Sequence, residues 1–465
     1  MIYSCFRFFP ACLWTALIIP ILLFSPGALA STHEFTLGNG LRLIVKEDHR
    51  SPVVISQIWY KAGSIDEVNG RTGVAHVLEH MMFKGTKKVP GGEFSRLIAA
   101  AGGRENAFTG QDYTAYFQQL HKSRLPLAME LESDRMRNLV LTEEEFSKEI
   151  KVVMEERRLR TDDQARSLVH ESLMATSYQS HPYRHPVIGW MNDLQNMTVD
   201  DARQWYERWY APNNAVLVVV GDVDPRQVFN LARKYYGPIK AQTVLSLDQR
   251  KPQTEPKQLG VKRLTVKAPA QLPYVAMAYH APALRKPETD WEPYALEMLA
   301  GVLDGNESAR LNKVLVRERR VASAAGASYD STARGPAAFY LDGTPSEGKT
   351  VAEVEAALRT EIEKLVRDGV TEEELARVKA QVVAGHVFQL DSMFFQAMQI
   401  GQLESIGLSY RDIDTILRKL QAVTAEQVRD VAKKYLKDDN LTIAVLDPQP
   451  LEQKAPAAVP AGLRH

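Results

Sequence analysis

The sequence contains very little cysteine and has no excess of charge of either sign. Its two cysteines among 465 residues, Cys5 and Cys12, both lie near the N-terminus. The rest of the chain can therefore form neither a disulfide framework nor a cysteine-based metal site. Lys and Arg together number 57, as do Asp and Glu, so the chain lacks the basic field typical of nucleic-acid-binding proteins. We expect no nucleic-acid partner, and any metal must be bound by histidine and carboxylate.

Long apolar runs are also lacking, apart from one near the N-terminus. Residues from about Leu13 to Pro26 are almost all apolar, Arg7 precedes them, and Ala28-Leu29-Ala30 follows. A charged start, an apolar stretch and an A-x-A site are typical of a secretory signal peptide, here residues 1–30. The alternative is an uncleaved membrane anchor, for which the stretch is marginal in length. We expect export across an inner membrane, a periplasmic location and no stable membrane span after cleavage.

Two pairs of similar segments indicate an internal duplication. The first pair is Leu141–Glu156 and Val370–Gly385, and the second is Met197–Pro225 and Val423–Pro448. Both members of the first pair open with Thr followed three residues later by Glu, which is typical of a capping box at a helix start. Both members of the second pair contain a capped amphipathic helix, a turn with Asn, and a β-branched strand. The separations are 229 and 226 residues, which predicts two halves of similar fold.

The chain is too long for one ordinary domain. We predict an N-terminal catalytic domain over residues 31–240, a polar linker over 241–262, a homologous non-catalytic domain over 263–450, and a tail over 451–465. Strands and helices do not alternate strictly, so each half is expected to be α+β, with a mostly antiparallel sheet and helices packed on one side. The clearest strand candidates are Leu41–Lys46, Val53–Tyr60, Ala215–Val220, Tyr274–Tyr279 and Leu441–Val445.

One five-residue motif, His76-Val77-Leu78-Glu79-His80, has the spacing of a metal site. On a helix, residues four apart share a face, so both imidazoles can reach one ion. Glu79 lies beside that face, where its carboxylate can accept a proton from a water molecule that the metal activates. The simpler alternative is a helix with two unrelated histidines. We favour a catalytic zinc site, which needs a third protein ligand and an open position.

The acidic helix predicted over Glu143–Arg160 offers candidates for that third ligand. Glu149 and Glu156 are seven residues apart and share a helix face with apolar residues, whereas Glu155 is turned about 100° away from Glu156. A carboxylate on an inward face needs a cation or hydrogen-bond donors. This pattern favours Glu156 as the ligand, with Glu149 as its supporting neighbour. Solvated helix charges are the common alternative for an acidic helix.

A longer set of motifs resembles the pitrilysin-like M16 family of metallopeptidases, which carry the inverted zinc motif. The matching segments are Ala62-Gly63-Ser64, Gly73–Thr86, Asn106–Thr109, Lys148–Arg158, His181-Pro182-Tyr183 and Gly221-Asp222-Val223. The resemblance extends over essentially the whole chain after residue 30, and its specific motifs lie in the first half. The chain is similar to short two-domain M16B-type subunits, which include mitochondrial processing peptidase beta and bacterial periplasmic homologues. This implies the fold type shared by LuxS and the mitochondrial processing peptidases.

The resemblance implies roles for the residues singled out above. His76, His80 and Glu156 would bind one Zn²⁺, Glu79 would be the general base, and Glu149 would be a supporting carboxylate. Family spacing varies by about one residue, which leaves Glu155 as a weaker candidate than Glu156 for the third ligand.

Substrate contacts are also implied by the resemblance. Asn106, Ala107 and Phe108 resemble an edge strand that pairs with extended substrate, and strand addition needs little sequence preference. The second half of a complete family site supplies an Arg and, seven residues later, a Tyr. Arg317 occupies the first of these positions, but the second holds Ala324. The alternative for Arg317 is membership of a surface arginine cluster.

The second half has lost the metal ligands. Tyr294-Ala295-Leu296-Glu297-Met298 stands where the first half has the histidine motif, and Gly385 stands at the position of Glu156. We therefore predict one zinc ion per chain. The incomplete Arg/Tyr pair favours a heterodimer with a second M16-like subunit that supplies the pair, although a homodimer remains open.

The expected function is zinc-dependent endopeptidase activity on small or unfolded peptides in an enclosed chamber. The alternative from a different class is a non-catalytic or partner-dependent structural subunit of an M16-type assembly. Two histidines and a glutamate that converge on one point argue for the enzyme, because a purely structural subunit does not need them.

Overall fold

The computed structural model describes residues 31–451. The predicted signal peptide and nearly all of the predicted tail lie outside the described residues. The described chain forms two β-sheets, one in each half, with helices around them. None of the helices described between residues 31 and 451 is long and apolar enough to cross a membrane.

The first sheet has six strands in the order β1-β2-β6-β3-β5-β4. Only the pairing of β2 with β6 is parallel, so the sheet is mostly antiparallel, and β4 lies at one edge. The strands are β1 (Thr32–Thr36), β2 (Arg42–Glu47), β3 (Val53–Tyr60), β4 (Arg104–Thr109), β5 (Thr114–His121) and β6 (Ala215–Gly221).

The second sheet repeats this arrangement without a counterpart of β1. Its order is β7-β11-β8-β10-β9, and β7 with β11 is its parallel pair. The strands are β7 (Lys262–Pro269), β8 (Tyr274–Ala281), β9 (Ala322–Tyr329), β10 (Ala337–Pro345) and β11 (Leu441–Gln449). The predicted α+β class and the duplication are therefore confirmed.

The helices follow the duplication as well. Those of the first half are α1 (Val74–Met81), α2 (Glu93–Ala100), α3 (Leu125–Asn138), α4 (Glu143–Arg157), α5 (Ala165–Ser177), α6 (Met191–Asn196), α7 (Val199–Trp209) and α8 (Pro225–Tyr235). Those of the second half are α9 (Glu292–Asp304), α10 (Val351–Asp368), α11 (Glu372–Leu390), α12 (Met393–Ile406), α13 (Ile413–Ala422) and α14 (Ala425–Tyr435). Each half also contains one short π-helical segment, Arg158–Asp162 in the first half and Asn312–Glu318 in the second.

Threonine caps begin the equivalent helices at equivalent positions. The side chain of Thr142 accepts a hydrogen bond from the Glu145 amide at the start of α4, and that of Thr371 accepts from Glu374 at the start of α11. Such a cap satisfies backbone donors that the first helical turn leaves free. The capping pattern thus fixes where the helix that carries Glu156 begins.

Each sheet packs on its own helices on one face and on a helix of the other half on the opposite face. Ala397 and Ile400 of α12 pack on Ile55 and Trp59 of the first sheet. In return, Val169 and Leu173 of α5 pack on the second sheet. This exchange adds to the predicted one-sided helix layer, and it joins the two halves through buried apolar contacts.

A polar contact reinforces the junction between the halves. The guanidinium of Arg334 donates to both carboxylate oxygens of Asp66, at 2.9 and 3.0 Å, and its backbone amide donates to Asp112 at 3.0 Å. Arg250, in the segment that connects the halves, also donates to Asp66. The loops beside β4 are therefore held against the second half.

Candidate metal centre

Helix α1 carries the histidine motif, and its start is fixed by backbone packing and a buried carboxylate. Gly73 has φ 86°, and a Cβ atom there would lie 2.6 Å from the carbonyl oxygen of Ile188, so glycine is required. The Glu67 carboxylate accepts hydrogen bonds from the amides of Gly73 (2.8 Å) and Ala75 (2.9 Å). These bonds satisfy free donors at the helix start. His76 and His80 consequently lie one turn apart on a fixed face.

His76, His80 and Glu156 bring their ligand atoms together. One atom from each lies within 4.8 Å of the others. Glu156 Oε2 is 3.3 Å from His80 Nε2 and 3.8 Å from His76 Nε2. Burial, with smaller effects of His80 and Arg160, lowers the pKa of His76 to about 3, so its ring is neutral, the form that binds metals. Two imidazoles and one carboxylate are a donor set that fits Zn²⁺.

The remaining ring nitrogen of His80 contacts Glu149. His80 Nδ1 lies 3.0 Å from Glu149 Oε1, and the Lys84 ammonium pairs with the other oxygen of that carboxylate. When Nδ1–H donates to a carboxylate, the Nε2 lone pair is left for a metal and the ring orientation is fixed. Glu149 and Lys84 can therefore position His80, and neither belongs to the converging set of ligand atoms.

Glu79 lies next to the three ligands, buried at the junction of α1 with β4. The hydroxyl of Thr109, the last residue of β4, donates to Glu79 Oε2 at 2.5 Å. Burial raises the pKa of Glu79, while the Thr109 hydrogen bond opposes that shift. A carboxylate with a raised pKa beside a metal site has the properties of a general base.

The two adjacent glutamates of α4 have different surroundings. The Glu155 side chain is 59% exposed and pairs with Arg158. The Glu156 side chain is 16% exposed and pairs with Arg160 through Oε1, so that Oε2 faces the imidazoles. The geometry therefore brings Glu156 to the histidines and leaves Glu155 at the surface.

The predicted substrate strand is an open edge. β4 pairs with β5 on one side and ends the sheet on the other. Asn106 is exposed, and its side-chain oxygen accepts from the Ala107 amide at 2.9 Å. Phe108 packs edge-on against Trp59, with ring centroids 5.3 Å apart, on the face of the sheet that α12 covers. Phe108 therefore anchors β4 through its side chain, and the outer edge of β4 has no strand partner among residues 31–451.

Arg317 makes a surface contact. Its side chain is half exposed and pairs with Glu307 at 3.0 Å. Ala324 is exposed in the edge strand β9, opposite Thr344 of β10. Tyr329, at the end of β9, donates from its hydroxyl to the Pro282 carbonyl.

The copy of the site in the second half is filled with apolar side chains. Tyr294 and Met298, which stand for the two histidines, are both buried in the second core. Val378 stands at the position of Glu149 and is also buried there. Gly385 stands at the position of Glu156, and a Cβ atom there would have no neighbouring atom within 4 Å. This copy has no donor set for a metal.

Four residues had no role at the metal site assigned from the sequence, namely Glu67, Lys84, Thr109 and Arg160. The first three lie in or beside segments that carried the family resemblance, yet pattern alone does not say what each touches. Arg160 had a usable signal, because Glu156 and Arg160 have the i,i+4 spacing that favours an ion pair on a helix.

Family models match both halves of the chain. Residues 42–189 match the model described as insulinase, peptidase family M16. Residues 196–382 match the model described as the peptidase M16 inactive domain. The candidate ligands His76, His80 and Glu156 lie in the first of these regions, and Tyr294, Met298 and Val378 of the apolar copy lie in the second.

Similar proteins cover nearly the whole chain. A zinc protease of Helicobacter pylori named PqqE is 32% identical over 90% of this chain and 93% of its own. The crystal structure of a protease from Helicobacter pylori matches with a TM-score of 0.84 and 30% identity, over 90% of this chain and 100% of that one. The periplasmic protease PqqL from Escherichia coli matches in fold, with a TM-score of 0.76 and 20% identity, over 90% of this chain and 48% of its own. The chain belongs to the M16 family of metallopeptidases.

Proposed function

We propose that the protein is a zinc-dependent endopeptidase that hydrolyses small or unfolded peptides. The observation that carries this proposal is the convergence of His76, His80 and Glu156, with the buried Glu79 beside them. The relatives named zinc proteases support the choice of metal. One donor set occurs among the described residues, which supports one Zn²⁺ per chain.

Each residue of the site would have its own role in peptide hydrolysis. When bound, zinc polarises the substrate carbonyl and makes water more acidic. Glu79 would accept a proton from the attacking water and pass it to the leaving amine. Glu149 holds His80 in the orientation and tautomer that binding requires. Thr109 holds the Glu79 carboxylate towards the end of the substrate strand.

The substrate would bind as an added strand on β4. The open edge runs through Asn106, Ala107 and Phe108 and ends at Thr109, which contacts Glu79. Backbone pairing on such an edge requires an extended chain and gives little side-chain preference. Folded proteins present few extended segments, which favours small or unfolded peptides as substrates.

The active form is proposed to enclose the site between two units of this kind. The PqqL chain is about twice as long as the part that this chain matches, and its first half alone also matches. A heterodimer would supply the Arg/Tyr pair that Arg317 and Ala324 leave incomplete, and a homodimer is the alternative. We also propose the domain division at residues 241–262, export through residues 1–30, and a periplasmic location.

A second candidate is a partner-dependent structural subunit. The match of residues 196–382 to an inactive-domain model and the apolar second copy favour it. A structural subunit would bind no zinc and hydrolyse nothing, alone or with cell-envelope extract.

The duplication supplies a matched control for the general base. Glu297 occupies the position of Glu79 in the second half and accepts a hydrogen bond from Ser331, much as Glu79 accepts one from Thr109. Glu79→Gln should keep about one zinc per chain and abolish hydrolysis of an unfolded reporter peptide, whereas Glu297→Gln should keep both. Hydrolysis by the Glu79→Gln protein would contradict the base assignment, and absence of zinc from the native protein would favour the structural subunit.

A further inference from the structure

Three exposed side chains lie close in sequence to Glu156, namely Val152 on α4 and Leu159 and Arg160 in the π-helical segment that follows it. We refer to these three residues, which extend from α4 into that segment, as the α4 outer face. At about 100° per residue, Val152 and Leu159 lie on the same flank of Glu156, roughly one turn before and one turn after it. Buried Val153 and Arg157 lie on the opposite flank. By the same rotation Arg160 lies on the flank of Val153, and it is the member that pairs with Glu156.

Arg160 places a positive charge at the edge of the metal centre. Its guanidinium lies 2.6 Å from Glu156 Oε1, while the other oxygen of that carboxylate faces the imidazoles. The Arg160 side chain is 74% exposed. A guanidinium has five N–H donors, and Glu156 is the only ion-pair partner of Arg160 among the described residues. Most of its donors are therefore available to a ligand.

Two other cationic side chains close in sequence to the candidate ligands already pair with carboxylates that are not ligand candidates. Lys84 is 26% exposed and pairs with Glu149, the carboxylate that contacts His80 Nδ1. Arg158 is exposed, but it pairs with the surface residue Glu155. Within residues 31–451, Arg160 is the exposed cation that contacts a metal-ligand candidate.

The apolar members of the α4 outer face are exposed without packing partners in a core. Val152 is 51% and Leu159 is 58% exposed, and Leu159 follows Arg158 in a π-helical segment. Segments of this kind occur frequently at functional sites.

We propose that Arg160 selects peptides that carry an acidic side chain next to the scissile bond. The carboxylate of such a residue would pair with the guanidinium donors that Glu156 leaves free. This inference rests on the proposed peptidase function. It adds a side-chain preference to a backbone-binding mode that itself has little preference.

Two isosteric reporter peptides test this selection, one with Glu and one with Gln beside the cleavage position. The native protein should show a kcat/KM for the Glu peptide at least about fivefold higher, the ratio that about 1 kcal/mol gives. Arg160→Met should bring this ratio to about one. Arg158→Met, the matched control on the same segment, should leave the ratio as in the native protein.

Binding to the inactive Glu79→Gln protein provides a readout independent of turnover. Fluorescence anisotropy with the same two peptides should show the Glu preference in this background and its loss on adding Arg160→Met. Zinc content should stay the same in both proteins. An unchanged Glu/Gln ratio in Arg160→Met would overturn the proposal, as would an equal loss for both peptides together with lost zinc, which would assign Arg160 to holding Glu156. If the native protein hydrolysed neither peptide while the binding preference persisted, the peptidase proposal would fail and the acidic preference would stand.

Discussion

Replacement of Gly401 by alanine tests the exchange of helices between the two halves. Gly401 lies inside α12, where that helix crosses the first sheet. A Cβ atom at this position would lie 2.1 Å from both Cε2 and Nε1 of Trp59. Trp59 is fully buried, and its indole N–H donates to Gln57 at 3.0 Å. The ring is therefore held from both sides, and glycine is the residue that lets the helix approach it.

The size of the effect follows from that distance. Ordinary contacts between heavy atoms lie at about 3.5–4.0 Å, so α12 or the indole would have to move by about 1.5 Å. Forcing an extra carbon into a packed core costs about 1–3 kcal/mol. Alanine gains about 1 kcal/mol over glycine in helix propensity, which offsets part of that cost. We expect Gly401→Ala to lower the free energy of unfolding by up to about 2 kcal/mol.

Gly385 provides the matched control, because it lies inside α11 and a Cβ atom there would meet nothing within 4 Å. Gly385→Ala should therefore raise the free energy of unfolding by about 0.5–1 kcal/mol. Urea unfolding followed by far-ultraviolet circular dichroism measures both variants. Opposite signs are expected, and the difference isolates the contact with Trp59 from helix propensity. Equal stabilisation by both substitutions would refute the packing of α12 on the first sheet.

Three further predictions concern the metal centre. Glu156→Gln should abolish zinc binding and Glu155→Gln should not, as measured by atomic emission; equal zinc in the two variants would contradict the ligand assignment. Glu149→Gln should weaken zinc binding by about 10- to 100-fold in chelator competition, and an unchanged affinity would remove its positioning role. Thr109→Val should raise the pKa of Glu79 further, because the lost hydrogen bond opposed the effect of burial. Since the base must be ionised, the acidic limb of the pH–rate profile should move to higher pH, and a limb that stays in place would contradict this reasoning.

Helix starts and central strands could be predicted because their signals are local. Each signal is formed by residues that are close together in sequence, as in the Thr cap of α4, the Thr cap of α11 and the β-branched run of β6. Edge strands are harder to predict. β9 has the sequence Ala-Ser-Ala-Ala-Gly-Ala-Ser-Tyr, which contains no β-branched residue, and its pairing with β10 defines it as a strand. Intrinsic β propensity is weak where the cross-strand partner supplies the contacts.

The exchange of α5 and α12 could not be predicted from periodicity. Apolar residues occur around most of α12, including Phe394, Ile400 and Leu403, so no single inward face stands out. A buried helix of this kind can pack on either sheet, and the pattern does not name the partner. Gly401 marks the contact with Trp59, but only the three-dimensional structure shows which bulky residue the glycine accommodates.

The site shows the same division between local and distant information. The spacing of His76 and His80 is readable within one helical turn, while Glu156 lies far along the chain and was favoured through helix-face geometry and the family resemblance. Phe108 was expected to contact substrate through its strand, and the structure shows that its side chain packs on Trp59. The sequence identifies which strand lies near the site. Side chains alternate between the two faces of a strand, and the sequence alone does not say which face packs against the core.

The second half shows which contact of the site occurs without the metal ligands. Glu297 and Ser331 form the same carboxylate–hydroxyl contact as Glu79 and Thr109. Ser331 lies two residues beyond the end of β9, whereas Thr109 is the last residue of β4. A hydroxyl from the segment at the end of the edge strand thus contacts the carboxylate of the motif helix in both halves.

A carboxylate can therefore persist at this position without a metal, provided that a hydroxyl satisfies it. Burial raises the pKa of Glu297 to about 7, so much of it can be neutral near neutral pH, which lowers the desolvation cost of an unpaired charge. The direction of the shift is the same for Glu79. What distinguishes the first half is the pair of imidazoles and Glu156, whose counterparts Tyr294, Met298 and Gly385 offer no comparable donor set. We therefore expect the metal ligands and the carboxylate to be separable by mutation, so that Glu79→Gln removes turnover and leaves the metal in place.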